Sequence, residues 1–515
     1  MKEKQLLKTV GIDITDWDST PVRVRNLVVQ QREKIEQLEQ RLTELEVTGN
    51  NLQEKVNRNS ENSHSPPSSD LVKSQSKNYK KKRRKKRGGQ PGHQGHSRFL
   101  YPVEDCTTVH EHLPKTCSCC GEELFGFDLS PYRHQIVEIP PIQLQIEEHR
   151  LHQLSCQHCG EKTRARLPLE VAKSGYGARV VGLVSVMSGV YRYSHRMIVS
   201  AMSDFFGVYL SLGSVNRLRT EASSALSAAV EEAKAYIQSA PTICADETGF
   251  QQGNNDGKNP ENRKAWLWVA VTPLVSFFQV MLSRSTEAAI ALLGRNFGGI
   301  LSSDRYGAYN WVNVSQRQVC WAHLKREFTK ISERSGISRQ IGRDLLAQSK
   351  KLFRLWHRVR DGTISRKEFQ SLVLPIRERL FSILSSGADY EIGSKEKTPL
   401  AKTVRTCRQL LKVEPALWLF VEIEELEPTN NAAERAIRPA VLWKRTSFGS
   451  QSEAGSVFVA RMLTVVTSLR SQNRNVLQFM IEAIQASRQG NPSPSLIPKH
   501  QSGSDSSNKS TPLAV

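Results

Sequence analysis

Apolar residues recur at heptad spacing over 28–56. Val28, Ile35, Leu42 and Val56 fall at one position, Leu38, Leu45 and Leu52 at the other, and Gln31 and Gly49 are the interruptions. Between them lie mostly Glu, Gln, Lys and Arg, so the segment predicts a short coiled coil closing an N-terminal region, 1–56; the alternative is a lone amphipathic helix packed on its own chain. The pattern stops at residue 57, and 57–100, rich in Ser, Asn, Pro, Lys and Gly, predicts a disordered basic linker. A helical region is expected within 171–240, with its periodic part over about 176–238. Five short apolar runs then follow, PTICAD, KAWLWVAV, VSFFQVML, GILSSD and RQVCWA, and read as strands within 241–322. Helical spacing returns over about 338–385 and 399–411, and a last helical region opens near Asn431 and runs to about 487. Residues 488–515 are expected to be a disordered tail.

Composition narrows the partner. The chain has 515 residues and a formal net charge of +21, a balance that suits a polyanion and makes nucleic acid the first candidate. One run, Lys80, Lys81, Lys82, Arg83, Arg84, Lys85, Lys86 and Arg87, is basic throughout, yet the rest of the chain keeps a positive excess. GGQPGHQGH follows, its glycines permitting close backbone approach to phosphates; a solvated tail or a nuclear-import signal is the competing reading of the run. No apolar core of signal-peptide length opens the chain and no run is long enough to span a bilayer. A cytoplasmic protein with reduced cysteines is therefore expected.

Reduced cysteines that cluster point to metal. Cys117-x-x-Cys120-Gly and Cys156-x-x-Cys159-Gly form two knuckles whose four thiolates suit structural Zn²⁺, within a small domain expected over 101–170. Cys119, His110, His112, His152 and His158 are alternative ligands. The long stretch between the knuckles, HQIVEIPPIQLQIEEHRLHQLSC, reads as two strands joined through Pro140-Pro141. Farther on, HRMIVSAMSDFFGVYLSLGSVNRLRTE has helix-turn-helix spacing, with a first helix at about 194–205 ending at Gly207. A second helix opens near Ser211 or Ser214 and carries Asn216, Arg217, Arg219 and Thr220 outward. A plain helical hairpin is the competing reading.

Two of the strands end in acids, Asp246 and Asp304. Strand, hairpin (266–272 and 275–282), helix (286–294), strand, with an acid on the first and fourth strands, is the order of a ribonuclease H-like fold. A pair of divalent ions needs a third acid, and Glu434 in PTNNAAER is the candidate. Asn431 with Glu434 three residues on equally resembles a helix-capping box. Arg435, Arg438, Lys444 and Arg445 lie close by, as cations suited to a phosphodiester. In Cys320-Trp321-x-His323 one Cys and one His are too few for a second metal site; the first two residues are expected to be buried at a strand end, with His323 and Lys325 facing a scissile phosphate, and a structural role is preferred to a catalytic one.

The blocks CADETGF, SSDRYGAYN, CWAHLKREF and PTNNAAERAIRPAVLWKRTSFGS resemble the signatures of the insertion-sequence-66 family of DDE transposases, and the order of parts over about 25–490 resembles that family too. The resemblance implies a catalytic domain over 241–487 with Asp246, Asp304 and Glu434 as catalytic acids holding Mg²⁺ or Mn²⁺. It also implies cleavage of element ends in double-stranded DNA and strand transfer into target DNA, and the gap from Asp304 to Glu434, longer than the bare fold needs, implies a helical insertion at about 325–425. A homo-oligomer, accessory transposition proteins and association with a bacterial nucleoid are further expectations. The alternatives are a ribonuclease H-like nuclease without strand transfer and a catalytically inactive zinc DNA-binding protein.

Overall fold

The structure, a computed structural model, describes residues 14–58, 62, 98–168, 171 and 174–498. The basic run 80–87 and its GGQPGHQGH sequel lie outside them. Among the described residues, 98–148 belong to one compact unit and the others to a second.

A short helix α1 (Ile14–Ser19) precedes one unbroken helix, α2 (Val22–Val56), that contains the whole heptad. Ile35, Leu38, Leu42, Leu45 and Leu52 are exposed along it, Leu45 to 63%. The strands expected over the stretch between the knuckles are absent. No strand is assigned among residues 131–152, and Ile136, Ile139 and Ile146 stand in solvent. Alternation supplies a face but not a ladder partner, and Pro140 and Pro141 have no N–H to give one. A small hairpin, β1 (Gln153–Ser155) with β2 (Lys162–Arg164), frames the second knuckle instead.

Four helices follow: α3 (Ala178–Gly189), α4 (His195–Phe206), α5 (Leu212–Ala225) and α6 (Ser227–Ser239). The turn between α4 and α5 is as the sequence predicts. Ser194 caps α4, Gly207 ends it at φ 64°, and Ser211 caps α5. The central sheet comprises β3 (Thr242–Phe250), β4 (Ala265–Val271), β5 (Ser276–Met281), β6 (Ile300–Ser303) and β7 (Arg317–Val319), in the order β5-β4-β3-β6-β7. β3, β4 and β5 are antiparallel neighbours, whereas β6 and β7 run parallel to β3. Helix α7 (Thr286–Leu293) links β5 to β6, so strand, hairpin, helix, strand is the order found.

Edge strand β5 does not expose its backbone. Thr464 accepts from Phe278 N–H at 2.9 Å, and Ser468 accepts from Ser276 N–H at 3.0 Å. Both side chains come from a late helix, so they cover an edge that would otherwise template pairing.

Between the sheet and the last helices lie α8 (Trp321–Ser332), α9 (Gly336–Arg360), α10 (Arg366–Ala388), α11 (Pro399–Lys412) and α12 (Leu419–Glu422). They enclose a second core built on Trp321, Phe328, Trp356, Phe369, Trp418 and Phe420. Cys320 and Trp321 are both buried as expected, but not within a strand: β7 stops at Val319, Cys320 is the residue before α8 and Trp321 is its first residue. The far end of α2 docks on these helices, where Glu54 pairs with Arg334 at 3.5 Å and Lys402 at 3.1 Å. Asn62 donates to Glu333 at 2.7 Å.

Three helices close the fold: α13 (Asn431–Ser447), α14 (Glu453–Ser471) and α15 (Val476–Gln489). α13 packs on β3 and β4, and α14 on β5. Residues 490–498, expected in the loose tail, are held. Glu232 accepts from Ser495 Oγ at 2.6 Å and Leu496 N–H at 2.9 Å, and Leu496 is fully buried. One apolar residue with a pocket outweighs the polar composition around it.

Candidate active site

β3 runs on past the expected PTICAD segment to Phe250, which places Asp246 at mid-strand. Parallel register pairs Cys244 with Ser302, and two residues on the same alignment carries Asp246 to the level of Asp304, just beyond β6. Adjacent strands lie ~4.8 Å apart, so the two carboxylates stand at one level on neighbouring strands. A turn fixes Asp304: its carboxylate accepts from Tyr306 N–H at 2.8 Å, and Arg317 donates to its backbone carbonyl at 2.8 Å.

Glu434 lies in the first turn of α13. The capping-box geometry is not what forms. Asn431 is already helical, Asn430 is the cap residue, and no side chain caps this end. The Glu434 carboxylate instead faces His323 at 3.5 Å and Arg326 at 3.7 Å, both from α8. Cys320 Sγ, a His323 ring nitrogen and a Glu434 oxygen lie within 4.8 Å of one another. This meeting was not read from the sequence; the one hint was that Cys320 and His323 sit a helical turn apart. Lys325, expected to face substrate, lies over the Phe353 ring at 4.9 Å.

Asn430 positions the start of α13. Its side-chain amide donates to Ala245 O at 2.8 Å, and its N–H donates to Cys320 Sγ at 3.2 Å. Pro428 O accepts from Trp321 N–H at 2.9 Å. The PTNN segment is thus tied to the first strand and to the first turn of α8.

The acids repel one another. Burial holds the Asp246 carboxyl well above its ordinary range, and the negative charges of Glu247, Asp304 and Glu434 push the same way. Burial likewise raises Glu247, again with Asp304 as a like charge. Glu247 points away from Asp246, as strand alternation requires. It takes a two-point contact from Arg284, 2.6 and 3.0 Å, and a 2.5 Å hydrogen bond from Tyr309 OH. Arg284 lies 3.7 Å from the Tyr306 ring centroid, and Tyr306 OH donates to Arg284 O at 2.7 Å. This buried network ties β3 to the turn that carries Asp304.

Carboxylates gathered at the cost of burial and mutual repulsion fit a bound cation. Glu434 Oε1 is buried without a hydrogen bond, which fits the same group.

The two knuckles repeat one local geometry. Cys117 N–H donates to Glu122 O and Gly121 N–H returns to Cys117 O; Cys156 with Glu161 and Gly160 does likewise. Gly121 and Gly160 take φ of 79° and 77°, where a side chain is strained. Backbone N–H groups of Cys120 and Cys119 point at Cys117 Sγ, and those of Cys159 and His158 at Cys156 Sγ, so both thiols fall below their ordinary range. Thiols biased toward thiolate fit zinc.

Of the cations expected to meet DNA, Arg217, Arg435 and Arg438 are exposed and Lys444 is half-buried, its Nζ donating to Gly249 O at 2.8 Å. Arg219 is a correction. It is turned inward, donates to His195 Nε2 at 2.6 Å and lies 4.2 Å over the Phe458 ring. Burial pushes its guanidinium down to about 10. Phe458 comes from α14, and a helical face covered from so far along the chain looks outward in sequence.

Comparison with known proteins agrees with this layout. Residues 191–457, a little over half of the chain, match the Transposase IS66 family, and 114–160 match the zinc-finger binding domain of transposase IS66. Residues 15–99 match a family of unknown function. The chain is 26% identical over 280 residues to the uncharacterized protein y4qI of Sinorhizobium fredii, covering 50% of this chain and 49% of that protein. It is 22% identical over 389 residues to y4hP of the same organism, covering 69% and 68%. The match thus spans about half the length of y4qI. No helix among the described residues is long and apolar enough to cross a membrane. The first family match encloses Asp246, Asp304 and Glu434, the second both knuckles, and the chain belongs to the IS66 family of transposases.

Proposed function

We propose that the protein is a DDE transposase with a ribonuclease H-like core, cutting DNA at element ends and joining the freed ends to target DNA. The observation that carries this is the convergence of Asp246 and Asp304 at one level of neighbouring strands, with Glu434 as a third like charge felt at Asp246. These three residues would hold the Mg²⁺ or Mn²⁺ ions, which supply an activated oxygen nucleophile and charge for the leaving 3′ oxygen.

The chain's own residues do the rest. Asn430 sets α13 against Ala245, so Glu434 enters at the level of Asp246. His323 and Arg326 hold the Glu434 carboxylate against α8. Arg435 and Arg438, exposed on α13, would bind phosphates of the DNA. Cys117, Cys120, Cys156 and Cys159 would hold structural Zn²⁺ and keep folded a small domain that follows the basic run 80–87 in sequence. The exposed heptad seam of α2 is the expected self-association surface, as a coiled coil that brings two element ends together.

The test is cleavage of DNA carrying the terminal sequences that border its gene, with Mg²⁺ or Mn²⁺ and with EDTA, followed by joining of pre-cut ends. Wild type is expected to cut and join, and Asp246→Asn to do neither while still binding DNA. Equal activity in Asp246→Asn overturns the assignment. Cleavage without any joined product identifies a nuclease instead.

A further inference from the structure

Helix α13 starts at the acids and ends at an unusual residue. Phe448 follows its last turn at φ 56°, in the left-handed region, with 76% of its surface exposed. Among the described residues the other non-glycine positions with positive φ are Arg192, Asn262 and Asn473. Asn tolerates that conformation; a bulky aromatic residue is an outlier there. Glycine is the ordinary choice after a helix end, and one is available next door at Gly449. A strained backbone and a ring left in water are both unfavourable for the fold, and such outliers cluster where function holds them.

The conformation is locked from outside. Ser450 N–H donates to Gln251 O at 3.0 Å, Gly253 N–H to Ser450 O at 2.8 Å, and Asn255 N–H to Gln451 O at 3.0 Å. A Cβ on Gly449 would lie 2.3 Å from Gln251 O, so the turn admits no side chain at that position. Phe448 is therefore pinned between the end of α13 and the segment leaving β3, and its ring stays directed into solvent.

The surroundings are cationic. Lys444 and Lys264 meet at the end of β3: Lys444 donates to Gly249 O, and a Cβ on Gly249 would lie 2.8 Å from the Lys264 side chain. Burial lowers the Lys444 ammonium below its ordinary range, and the charges of Lys264 and Arg445 push the same way. An exposed apolar ring three residues after Arg445 and four after Lys444, itself beside Lys264, matches a strand whose backbone is anionic and whose bases present π faces.

We propose that Phe448 stacks on an unpaired nucleobase of the bound DNA, while Lys264, Lys444 and Arg445 hold the adjoining phosphates. This rests on DNA being the substrate. Phe448 lies fourteen steps along the chain from Glu434, just past the helix end, about 21 Å at 1.5 Å per step. Where the nucleotides between them stay stacked as in duplex, the contacted base therefore lies roughly six nucleotides from the cut, at about 3.4 Å per nucleotide. A wedge there would hold the end of the element open while the acids act on the phosphate.

The test uses the full-length protein in Ca²⁺, so that cleavage plays no part. Forked duplexes of the terminal sequence carry 2-aminopurine at successive positions in the unpaired arm. Wild type is expected to change the fluorescence at a position about six nucleotides from the cut and at no distant one. Phe448→Ala should abolish that change and weaken binding about tenfold, and Phe448→Trp should keep both. Phe448→Gly relieves the backbone, so it should melt no lower than wild type yet lose the fluorescence change, which separates misfolding from lost stacking. If Phe448→Ala binds as tightly as wild type with the same fluorescence, the base contact is wrong while DNA binding stands. If wild type binds no forked DNA at all, both this contact and the transposase reading fall.

Discussion

Asn430 reaches from the residue before α13 to the carbonyl of Ala245, 2.8 Å away and one residue before Asp246. A single side chain thus links the strand that carries the first acid to the helix that carries the third. Asn430 is fully buried, so its loss is felt both in stability and in alignment. Asn430→Ala should cost about 1–3 kcal/mol in denaturant unfolding, the range for a lost buried hydrogen bond. The cleavage rate should fall tenfold or more, with DNA affinity little changed. Wild-type kcat in Asn430→Ala would remove the alignment role.

Burial and like charge make the metal-free acids destabilising, and the sign of the pH effect follows. Asp246 and Glu247 have native values raised above 3.8 and 4.5. The fold favours their protonated forms, so their contribution is fully present below about pH 4 and is lost as pH rises through the raised native values. In EDTA the melting temperature is therefore expected to fall across that window. Asp246→Asn should flatten the fall and melt above wild type near neutral pH. Mg²⁺ should raise the wild-type Tm and leave the variant's unchanged. Identical pH profiles for the two proteins would show that Asp246 is not under this strain.

The two arginines of α5 should part company. Arg217 is exposed, so Arg217→Ala should weaken DNA binding and reduce the salt dependence by about one counterion with no change in Tm. Arg219 packs on Phe458 and His195, so Arg219→Ala should lower Tm. Thermal melts and binding titrations at several salt concentrations distinguish the two. Equal effects of both substitutions would return Arg219 to the surface.

The exposed seam of α2 makes a prediction about assembly. Leu38→Glu with Leu45→Glu places like charges in any paired seam. Sedimentation should then show a lighter species than wild type. Joining of paired ends should fail more than cutting at one end. An unchanged sedimentation coefficient would mean that α2 does not pair.

The acids were the most readable part of the chain. Asp246 and Asp304 each end an apolar run, and strand order alone put them side by side. Glu434 was ambiguous because Asn431 offered a cap three residues earlier; it is Asn430 that occupies the cap position, and it turns to Ala245 instead. Short apolar runs misled where burial came from elsewhere. Val319-Cys320-Trp321 reads as strand, yet the helical insertion buries Trp321 from the first residue of a helix. Alternation over 134–156 predicted strands, but periodicity describes a face and cannot supply its partner. Arg219 and the cluster of Cys320, His323 and Glu434 depend on elements more than a hundred residues away, which local pattern does not encode.

Glu232 closes on Ser495 and Leu496 like a buckle, and this sets where the protein can be shortened. Trimming at Gln489, where helical periodicity ends, would strip both donors from a carboxylate of α6 and empty the place of Leu496. Ending after residue 498 keeps both. A fusion partner or affinity tag therefore belongs beyond 498, and nine residues that look dispensable decide whether the shortened protein holds its last helix.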